Sequence, residues 1–426
     1  MMDMTTPMPA ARYAAYLPKR RPLASRAAPW AATLLLLAVL PFVFSGLLGI
    51  SVLTQSCIAI TFALAYNMLL GGTGLLSFGH ALYFGVGAYV SGHLLNNYGA
   101  SVPVVLVPLA GGFAALAVGG VLALFTVRHD RTTYAMISLA IGQLVYASSI
   151  IMTSWSGGDT GIRIDPAAAN GWGVDFGDPR AMYFLVAGWT WLAALGMFLV
   201  TRTPLGRLMN ATRDNSHRVS FVGFSPVGVR GLALTLSGGF AGIAGSLYAL
   251  AMQVVTTDTF GLPQTASVML HTYIGGFTTF VGPALGALLM TVTSAHLSAL
   301  TEAWPLYQGA FLLVVIIYSQ HGLVGAVTSG RSLLARLGAQ RGVAHVAISC
   351  VLAVLCTALI VAGFVGIVEM TQSWSANNGE PVTLLSGALV FEVSPRQPAH
   401  WIAAAAALLL GAAGMALVRR HFRPAP

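Results

Sequence analysis

The sequence predicts an all-α, polytopic integral membrane protein with about ten core transmembrane helices and two extra helices at its C-terminal end. Two observations support this fold class. Of the 426 residues, 56% are hydrophobic and only 8% are charged, whereas soluble globular domains carry about 25% charged residues. Between Ala27 and Val127 there is no Asp, Glu, Lys or Arg. The chain lacks the charge to cover a water-facing surface, so most of its surface must face lipid.

Apolar segments of membrane-spanning length follow one another along the whole chain. A crossing helix needs about 20 apolar residues. Twelve segments meet or approach that length: 31–50, 52–70, 77–96, 103–126, 133–153, 181–201, 231–253, 265–277, 282–300, 305–324, 344–367 and 401–418. Pro41 predicts a kink in the first of them. The eighth is short, and Pro263 before it with Gly275 and Gly276 after it predicts a half-helix or a broken span.

The charges between these segments predict the orientation in the membrane. Twelve spans place both termini on one side, and with the N-terminus in the cytoplasm 18 of the 21 basic residues fall in inside segments. Nine of the 12 acidic residues then fall outside. This partition follows the positive-inside rule and accounts for the net charge of +9. Nucleic-acid binding is disfavoured because no basic stripe or aromatic stacking platform accompanies the charge.

Groups that could carry chemistry are sparse. No span has a carboxylate or ammonium group near its centre, which argues against a proton- or ion-coupled carrier. The only lysine, Lys19, lies in the N-terminal arm, so the chain has no Walker A loop and ATP hydrolysis would need another polypeptide. Cys57, Cys350 and Cys356 fit neither a disulfide framework nor a zinc site, and no metal site is predicted.

A small set of residues in and beside the spans could line a translocation pathway. The candidates are Asn67, Ser77, His80, Phe84, Tyr134, Gln143 and Asp159. Ser77 is also the expected N-cap of the third span. His80 has two interpretations, a hydrogen-bonded packing residue or a gate residue. The turn 156–162, which contains Asp159, is interpreted as the mouth of a pathway rather than a phosphate-binding nest, because no helix with a basic anchor follows it.

Small residues recur at a spacing of four. Gly238 and Gly242 show this spacing, Gly282 and Gly286 repeat it, and Gly85 follows Ala81 in the same way. Such faces let membrane helices approach at backbone distance. For each glycine, tight packing without any ligand is the simpler interpretation.

The loop 202–230 is rich in arginine and unusual for a membrane protein. After Pro204 the pattern predicts a short amphipathic helix, with Leu205, Leu208, Met209 and Thr212 on one side. The loop is either a solvated segment that obeys the positive-inside rule or a docking helix that fits a groove on a cytoplasmic partner.

Several ordered motifs resemble one family. "LAYNMLLGGTGLLSFGHALYFGVGAYVSGHLL" (64–95), "SGGDTGI" (156–162), "TPLGRLMNATRDNSHRVSFVGF" (203–224), "LSGGFAGIAGSLYA" (236–249), "YIGGFTTFVGPALGA" (273–287) and "YSQHGLVG" (318–325) appear in the order found in LivM-like permease subunits of branched-chain amino acid ABC importers. The chain differs from the family pattern at Leu75, at Asp214 and at 219–221. The differences in the loop imply a partner ATPase with its own matching surface.

The resemblance implies a division of the chain and a set of partners. It implies a cytoplasmic basic arm (1–30), a permease domain (31–326) that includes a coupling loop (202–230), and a C-terminal extension (327–426) with two predicted transmembrane helices. The matching residues of the ATPase-coupling loop are Pro204, Gly206, Ala211, Arg213, Asp214, Asn215 and Gly223.

The implied function is that of a non-catalytic permease in the bacterial inner membrane, moving a small amphipathic solute by alternating access. Its implied partners are a second permease subunit, two cytoplasmic ATPase subunits and an extracytoplasmic solute-binding protein. ATP and Mg²⁺ would bind to the ATPases, and this chain would bind no cofactor. The alternative is a secondary transporter or channel for a small solute, not coupled to ATP.

Overall fold

A computed structural model describes residues 23–44, 46–99, 101–167, 174–298, 301–318, 322–325, 343–376, 382–384, 391–393 and 396–422. Helices dominate these residues, which confirms the all-α polytopic fold class. The helices up to the arginine-rich loop are α1 (Leu23–Val43), α2 (Leu47–Thr73), α3 (Ala81–Tyr98), α4 (Val107–Thr126), α5 (Arg131–Ile151), the single turn α6 (Thr153–Ser156) and α7 (Pro179–Arg202). The loop itself contains α8 (Pro204–Asp214) and α9 (Ser216–Phe221).

The second part of the chain is also helical. Its helices are α10 (Pro226–Met252), α11 (Leu262–Gly275), α12 (Gly282–Ser298), α13 (Trp304–Tyr318), α14 (Val343–Ala376) and α15 (Pro398–Phe422). Two short antiparallel strand pairs join β1 (Ile162–Arg163) to β2 (Val254–Val255) and β3 (Val382–Leu384) to β4 (Phe391–Val393).

Each of the twelve apolar segments of the sequence overlaps a helix. Among the residues that the structure describes, five helices can cross a bilayer by length and composition: α2, the segment Val104–Thr126 that contains α4, α5, α7 and α10. Shorter apolar stretches lie in α1, α13, α14 and α15. The count of twelve crossings therefore stays a prediction, while the multi-pass architecture is established.

Two predicted boundaries are wrong. The first helix ends at Val43 and the second begins at Leu47, whereas the sequence placed this break after residue 50. The third helix begins at Ala81, and Ser77 is not its N-cap. Residues 74–77 are non-helical and a turn follows at 78–80, where Leu82 N donates to the Gly79 carbonyl. The Ser77 side chain is buried, and no side-chain hydrogen bond caps α3.

The core is built around α10, which packs against α4, α3 and α2. Glycine allows these helices to touch at backbone distance. A Cβ at Gly87 of α3 would lie 2.1 Å from the carbonyl oxygen of Gly242 on α10, and a Cβ at Gly245 would lie 1.8 Å from the carbonyl oxygen of Phe84. The side chains of α2 from Thr61 to Leu70 are all buried. This interior holds Ser77, His80 and Phe84, three of the predicted pathway residues.

The extension beyond the tenth predicted span forms a helical pair. α14 packs against α15, and a Cβ at Gly411 would lie 2.8 Å from the carbonyl oxygen of Cys356. The Tyr307 hydroxyl of α13 donates a 2.7 Å hydrogen bond to Glu369 Oε1 of α14. The predicted limits of the basic arm and of the extension stay predictions, and residues 1–22 and 326–342 lie outside the described residues.

Candidate functional site

The arginine-rich loop folds as the sequence predicts, into an amphipathic helix that lies against the bundle. Thr203 Oγ1 accepts a hydrogen bond from Gly206 N at 3.4 Å and so caps α8, and Pro204 occupies its first turn. Met209 and Thr212 are buried where α8 packs on α2, α7 and α10. A Cβ at Gly206 would lie 2.5 Å from the Thr201 carbonyl oxygen, so this position requires glycine.

The opposite side of the loop is open. Among the predicted coupling residues, Pro204, Ala211, Asp214, Asn215 and Gly223 are exposed. Asn215 begins α9, because its Oδ1 accepts hydrogen bonds from His217 N and Arg218 N. This outer side is a surface that a partner protein could contact.

The loop ends in an apolar tip, defined as Phe221, Val222 and Phe224. Phe221 is 89% exposed and Val222 is 73% exposed. Gly223, between Val222 and Phe224, has φ of +89°, a left-handed conformation that glycine adopts readily. Phe221 is the last residue of α9, and Val222 and Phe224 lie in the connection between α9 and α10.

Arg213 differs from the exposed coupling residues because its side chain points inward. Its Nη1 donates a 2.7 Å hydrogen bond to the Gly71 carbonyl oxygen in the last turn of α2, and its Nε lies 3.2 Å from Asp214 Oδ1. Arg131, at the start of α5, donates from Nη2 to the backbone carbonyl of Arg213. Beside these groups lies a polar crevice of about 450 Å³, lined by Asp130, Arg131, Thr132, Asp214, Asn215, Ser216 and Arg230.

His80 lies in a closed aromatic cage. Its ring centroid is 5.1 Å from that of Tyr66, 5.3 Å from that of Tyr83 and 5.8 Å from that of Phe62. The Ser237 hydroxyl donates to the Ala65 carbonyl at 2.6 Å, so the proton in the 3.3 Å contact between His80 Nε2 and Ser237 Oγ comes from the histidine. His80 Nδ1 has no hydrogen-bond partner among the described residues. These contacts give His80 a packing role in this conformation, and its gate role stays a prediction.

Most of the other pathway candidates are also interior. Ser77, Phe84 and Tyr134 are each about 1% exposed, and Asn67 is 9% exposed. Ser77 and Tyr134 line the same small cavity, and the Tyr66 hydroxyl donates to the Ser77 carbonyl at 3.3 Å. The structure thus brings Asn67, Ser77, His80, Phe84 and Tyr134 into one region between α2, α3 and α5.

Gln143 lies apart from them, on the open side of α5. Its face of the helix is defined by the exposed residues Met136, Ala140, Gln143, Ala147 and Ile150. The exposed face of α4 is apolar throughout and comprises Phe113, Ala117, Val121 and Leu124. α5 is also the least buried of the five crossing helices. An amide near the middle of a crossing helix is costly in lipid, and the exposed face of α4 carries no such group.

At the other end of the bundle the turn 156–162 is held against α3. The rings of Trp155 and Tyr89 stack at 4.9 Å, and His93 Nε2 lies 3.0 Å from the Trp155 carbonyl oxygen. Gly157, Gly158 and Gly161 all have positive φ. The pairing of β1 with β2 ties the turn to the end of α10. The side chain of Asp159 lies outside the described residues.

Comparison with known proteins decides the family. The family model described as "branched-chain amino acid transport system / permease component" matches residues 48–319, more than half of the chain. The chain belongs to this permease family. It is 30% identical to the high-affinity branched-chain amino acid transport system permease protein LivM of Escherichia coli K12 over 316 residues, 68% of this chain and 73% of the relative.

More distant members of the permease family also match. The chain is 24% identical over 285 residues to LivH of Salmonella typhimurium, another branched-chain amino acid permease, covering 62% of this chain and 90% of the relative. It is 29% identical over 309 residues to the autoinducer 2 import system permease protein LsrC of Salmonella paratyphi B, covering 67% of this chain and 85% of the relative. No solved structure matches the chain.

Family membership confirms the LivM-like resemblance and the transport class. The protein is a non-catalytic permease component of an ATP-driven importer, and ATP hydrolysis belongs to a separate subunit. The LivM and LivH relatives indicate a multi-subunit importer with a second permease. Among the residues described, no group of three His, Cys, Asp or Glu side chains could hold a metal ion.

The structure places the predicted packing glycines of the permease at close helix contacts. A Cβ at Gly85 would lie 2.3 Å from Phe260 Cδ1, and a Cβ at Gly286 would lie 2.0 Å from the His271 carbonyl oxygen. The nearest atoms for the others are Tyr83 Cδ1 at 3.1 Å for Gly238, Ala115 Cβ at 2.3 Å for Gly242 and the Gly276 carbonyl oxygen at 2.1 Å for Gly282.

Sequence reasoning missed three features of this permease. Arg131 counted only as a basic loop residue, Gly74 was not singled out, and Phe221 was noted only as a departure from the family pattern. A signal for the first two was available, since a glycine directly after a long apolar run indicates a helix C-terminus and an arginine can bind the free carbonyl groups there. The pairing of Arg213 with Gly71 spans 142 residues, and no local pattern predicts it.

Proposed function

We propose that this chain is the LivM-like half of a heteromeric permease that imports branched-chain amino acids, or related amides or organic acids, across the bacterial inner membrane. The observation that carries the proposal is the loop 202–230. It presents an amphipathic helix seated on the bundle with its outer side open. A secondary transporter or channel has no need of such a surface.

Two cytoplasmic ATPase subunits would contact this outer side, one on each permease subunit. The apolar tip is the part of the loop best suited to enter a groove on the ATPase, since its exposed side chains lie next to the open side of α8 and α9. ATP and Mg²⁺ would be held by the ATPases. Alternating access follows if the ATPases contact the two states of the permease differently.

The charge distribution supports the orientation. The arginine-rich end of the bundle, which carries residues 127–131 and 202–230, would be cytoplasmic, and both termini would lie on that side. The turn 156–162 would then face the extracytoplasmic binding protein. Its packing on Tyr89 and His93 would make it the lid of the outer mouth.

The face of α5 that carries Gln143 supports a pathway between two permease subunits. Met136, Ala140, Ala147 and Ile150 are apolar, and Gln143 supplies an amide donor and acceptor among them. A small solute with an apolar side chain and a polar end matches that composition. In lipid the amide would be unsatisfied, whereas in a pathway it contacts water, solute or the second subunit.

The test uses the complete importer in liposomes, with two ATPases, the second permease and the binding protein. We expect ATP-dependent uptake of radiolabelled leucine that competing branched-chain amino acids reduce. Gln143→Leu should lower uptake while the complex stays assembled. Leu124→Ala, on the exposed apolar face of α4, is the matched control and should leave uptake unchanged. Equal uptake by the Gln143→Leu variant would contradict the pathway assignment.

The docking of the ATPase is tested separately by co-purification. Phe221→Ala should reduce the amount of ATPase retained on the permease, because it removes the most exposed apolar side chain of the tip. Leu48→Ala removes a side chain that is also exposed, at 84%, but lies at the start of α2. That control should retain the ATPase, and loss of ATPase from both variants would argue against a specific role of the tip.

A further inference from the structure

The carboxyl end of α2 is held by an arginine of α8, which an arginine of α5 contacts in turn. Carbonyl groups in the last turn of a helix have no partner within the helix. The Leu70 carbonyl accepts from Gly74 N at 2.9 Å, and the Gly71 carbonyl accepts from Arg213 Nη1 at 2.7 Å. A guanidinium group at this position also complements the negative end of the helix dipole. Arg213 of α8 therefore caps α2.

Arg131 of α5 contacts Arg213 in turn. It donates to the backbone carbonyl of Arg213 in the last turn of α8. Gly74 makes room for both side chains, because a Cβ there would lie 3.2 Å from Arg131 Cζ and 3.2 Å from Arg213 Cγ. Its φ of +72° also disfavours other residues. Arg131, Arg213, Gly71 and Gly74 form what we call the arginine clamp.

The clamp connects the loop helix to the interior of the permease. One turn back from Gly71 on α2 is Asn67, whose Oδ1 is buried without a partner among the described residues. The segment after Gly74 lies directly on α5, where Phe78 N donates to Ser138 Oγ at 3.1 Å. A Cβ at Gly79 would lie 2.0 Å from the Ser138 carbonyl oxygen. α5 carries Gln143, so the clamp and the proposed pathway share one helix.

The side chain of Arg213 is poorly placed for contact with a partner. It is 31% exposed, whereas the neighbouring Asp214 side chain is 71% exposed. One residue of α8 thus faces the bundle while the next faces the cytoplasmic side. Any displacement of α8 must either carry the ends of α2 and α5 with it or break these hydrogen bonds.

We propose that the arginine clamp transmits movement of α8 to α2 and α5, and that Arg213 is a positioning residue for transport rather than a contact of the ATPase. This inference rests on the proposed function, because it assumes that ATPases move the loop. It predicts that disrupting the clamp separates ATP hydrolysis from uptake. Substitution of a residue of the docking surface would instead release the ATPase from the permease.

The experiment measures three quantities on the full importer in liposomes: ATPase retained, ATP hydrolysed and leucine taken up. For Arg213→Gln we expect normal ATPase retention, continued hydrolysis and a fall of about tenfold in uptake per ATP, the factor that loss of one hydrogen bond to a charged group can produce. Arg131→Gln should lower the same ratio. The double variant should be little worse than the more severe single variant, because the two arginines act as a unit.

Arg128→Gln is the matched control, since Arg128 is exposed at the same end of the bundle and lies outside the clamp. The Arg128→Gln variant should take up as much leucine per ATP hydrolysed as the wild type. The proposal is overturned if Arg213→Gln loses the ATPase, lowers hydrolysis and uptake in equal proportion, or leaves uptake unchanged. If Arg213→Gln does not fold, the leucine uptake per ATP hydrolysed by the Arg131→Gln variant tests the proposal by the same criteria. Absence of ATP-dependent uptake by the wild-type importer would instead refute the proposed function.

Discussion

Replacement of Gly87 by alanine tests whether backbone contact between α3 and α10 holds the bundle together. The added Cβ would lie 2.1 Å from the Gly242 carbonyl oxygen and 2.6 Å from the Gly242 carbonyl carbon and Cα. Real Cβ atoms essentially never come closer than 3.0 Å to such atoms. The two helices would have to separate by about 0.9 Å, and a gap of that size forfeits about a quarter to a half of the dispersion energy of the contacts it opens.

Overpacking of this kind costs about 1–3 kcal/mol. We expect Gly87→Ala to lower the free energy of unfolding by that amount, measured by denaturant titration of the purified permease in detergent. Gly188→Ala in α7 is the control, because a Cβ there meets nothing within 4 Å. It should leave stability unchanged or raise it by about 0.4–1 kcal/mol through reduced freedom of the unfolded chain. Equal stability of the two variants would refute the packing argument.

Three further predictions address other contacts. Tyr307→Phe removes the hydrogen bond to Glu369 and should lower the free energy of unfolding by about 1.5–3 kcal/mol. In a double-mutant cycle with Glu369→Gln, the two effects on the free energy of unfolding should not add. Additive effects would contradict the contact. Thr190→Val removes hydroxyl contacts with Thr61 and the Cys57 carbonyl and should cost about 0.6 kcal/mol of unfolding free energy, with the exposed Thr33→Val as a control that changes nothing. Trp155→Ala removes the ring stack on Tyr89 and should accelerate tryptic cleavage at Arg163 roughly two- to tenfold. This range follows because an aromatic pair contributes about 0.5–1.5 kcal/mol. An unchanged cleavage rate would mean that the stack does not hold the turn 156–162.

Much of the fold could be predicted because apolar run length is a local property. Each predicted span corresponds to a helix, and the amphipathic pattern after Pro204 correctly placed Met209 and Thr212 on the buried side of α8. Breaks between helices were harder to predict. The chain is apolar on both sides of residues 44–46, so hydropathy alone did not indicate where α1 ends.

The site could be predicted only in part. The loop 202–230 was found from its arginines and its amphipathic helix, but the inward direction of Arg213 depends on Gly71, which is distant in sequence. His80 was singled out as a polar residue in an apolar stretch. Its surroundings come from three separate helices, since Phe62 and Tyr66 of α2, Tyr83 of α3 and Ser237 of α10 all contact it. Contacts of that kind depend on tertiary packing, and a single sequence does not reveal them.

The most direct test of the account is uptake by the reconstituted importer under defined driving forces. We predict that leucine accumulates only when ATP is present on the side of the ATPases and the binding protein on the other side, and that collapsing proton and sodium gradients has no effect. Uptake by this chain without ATPases, driven by an ion gradient, would contradict the assignment as an ATP-driven permease.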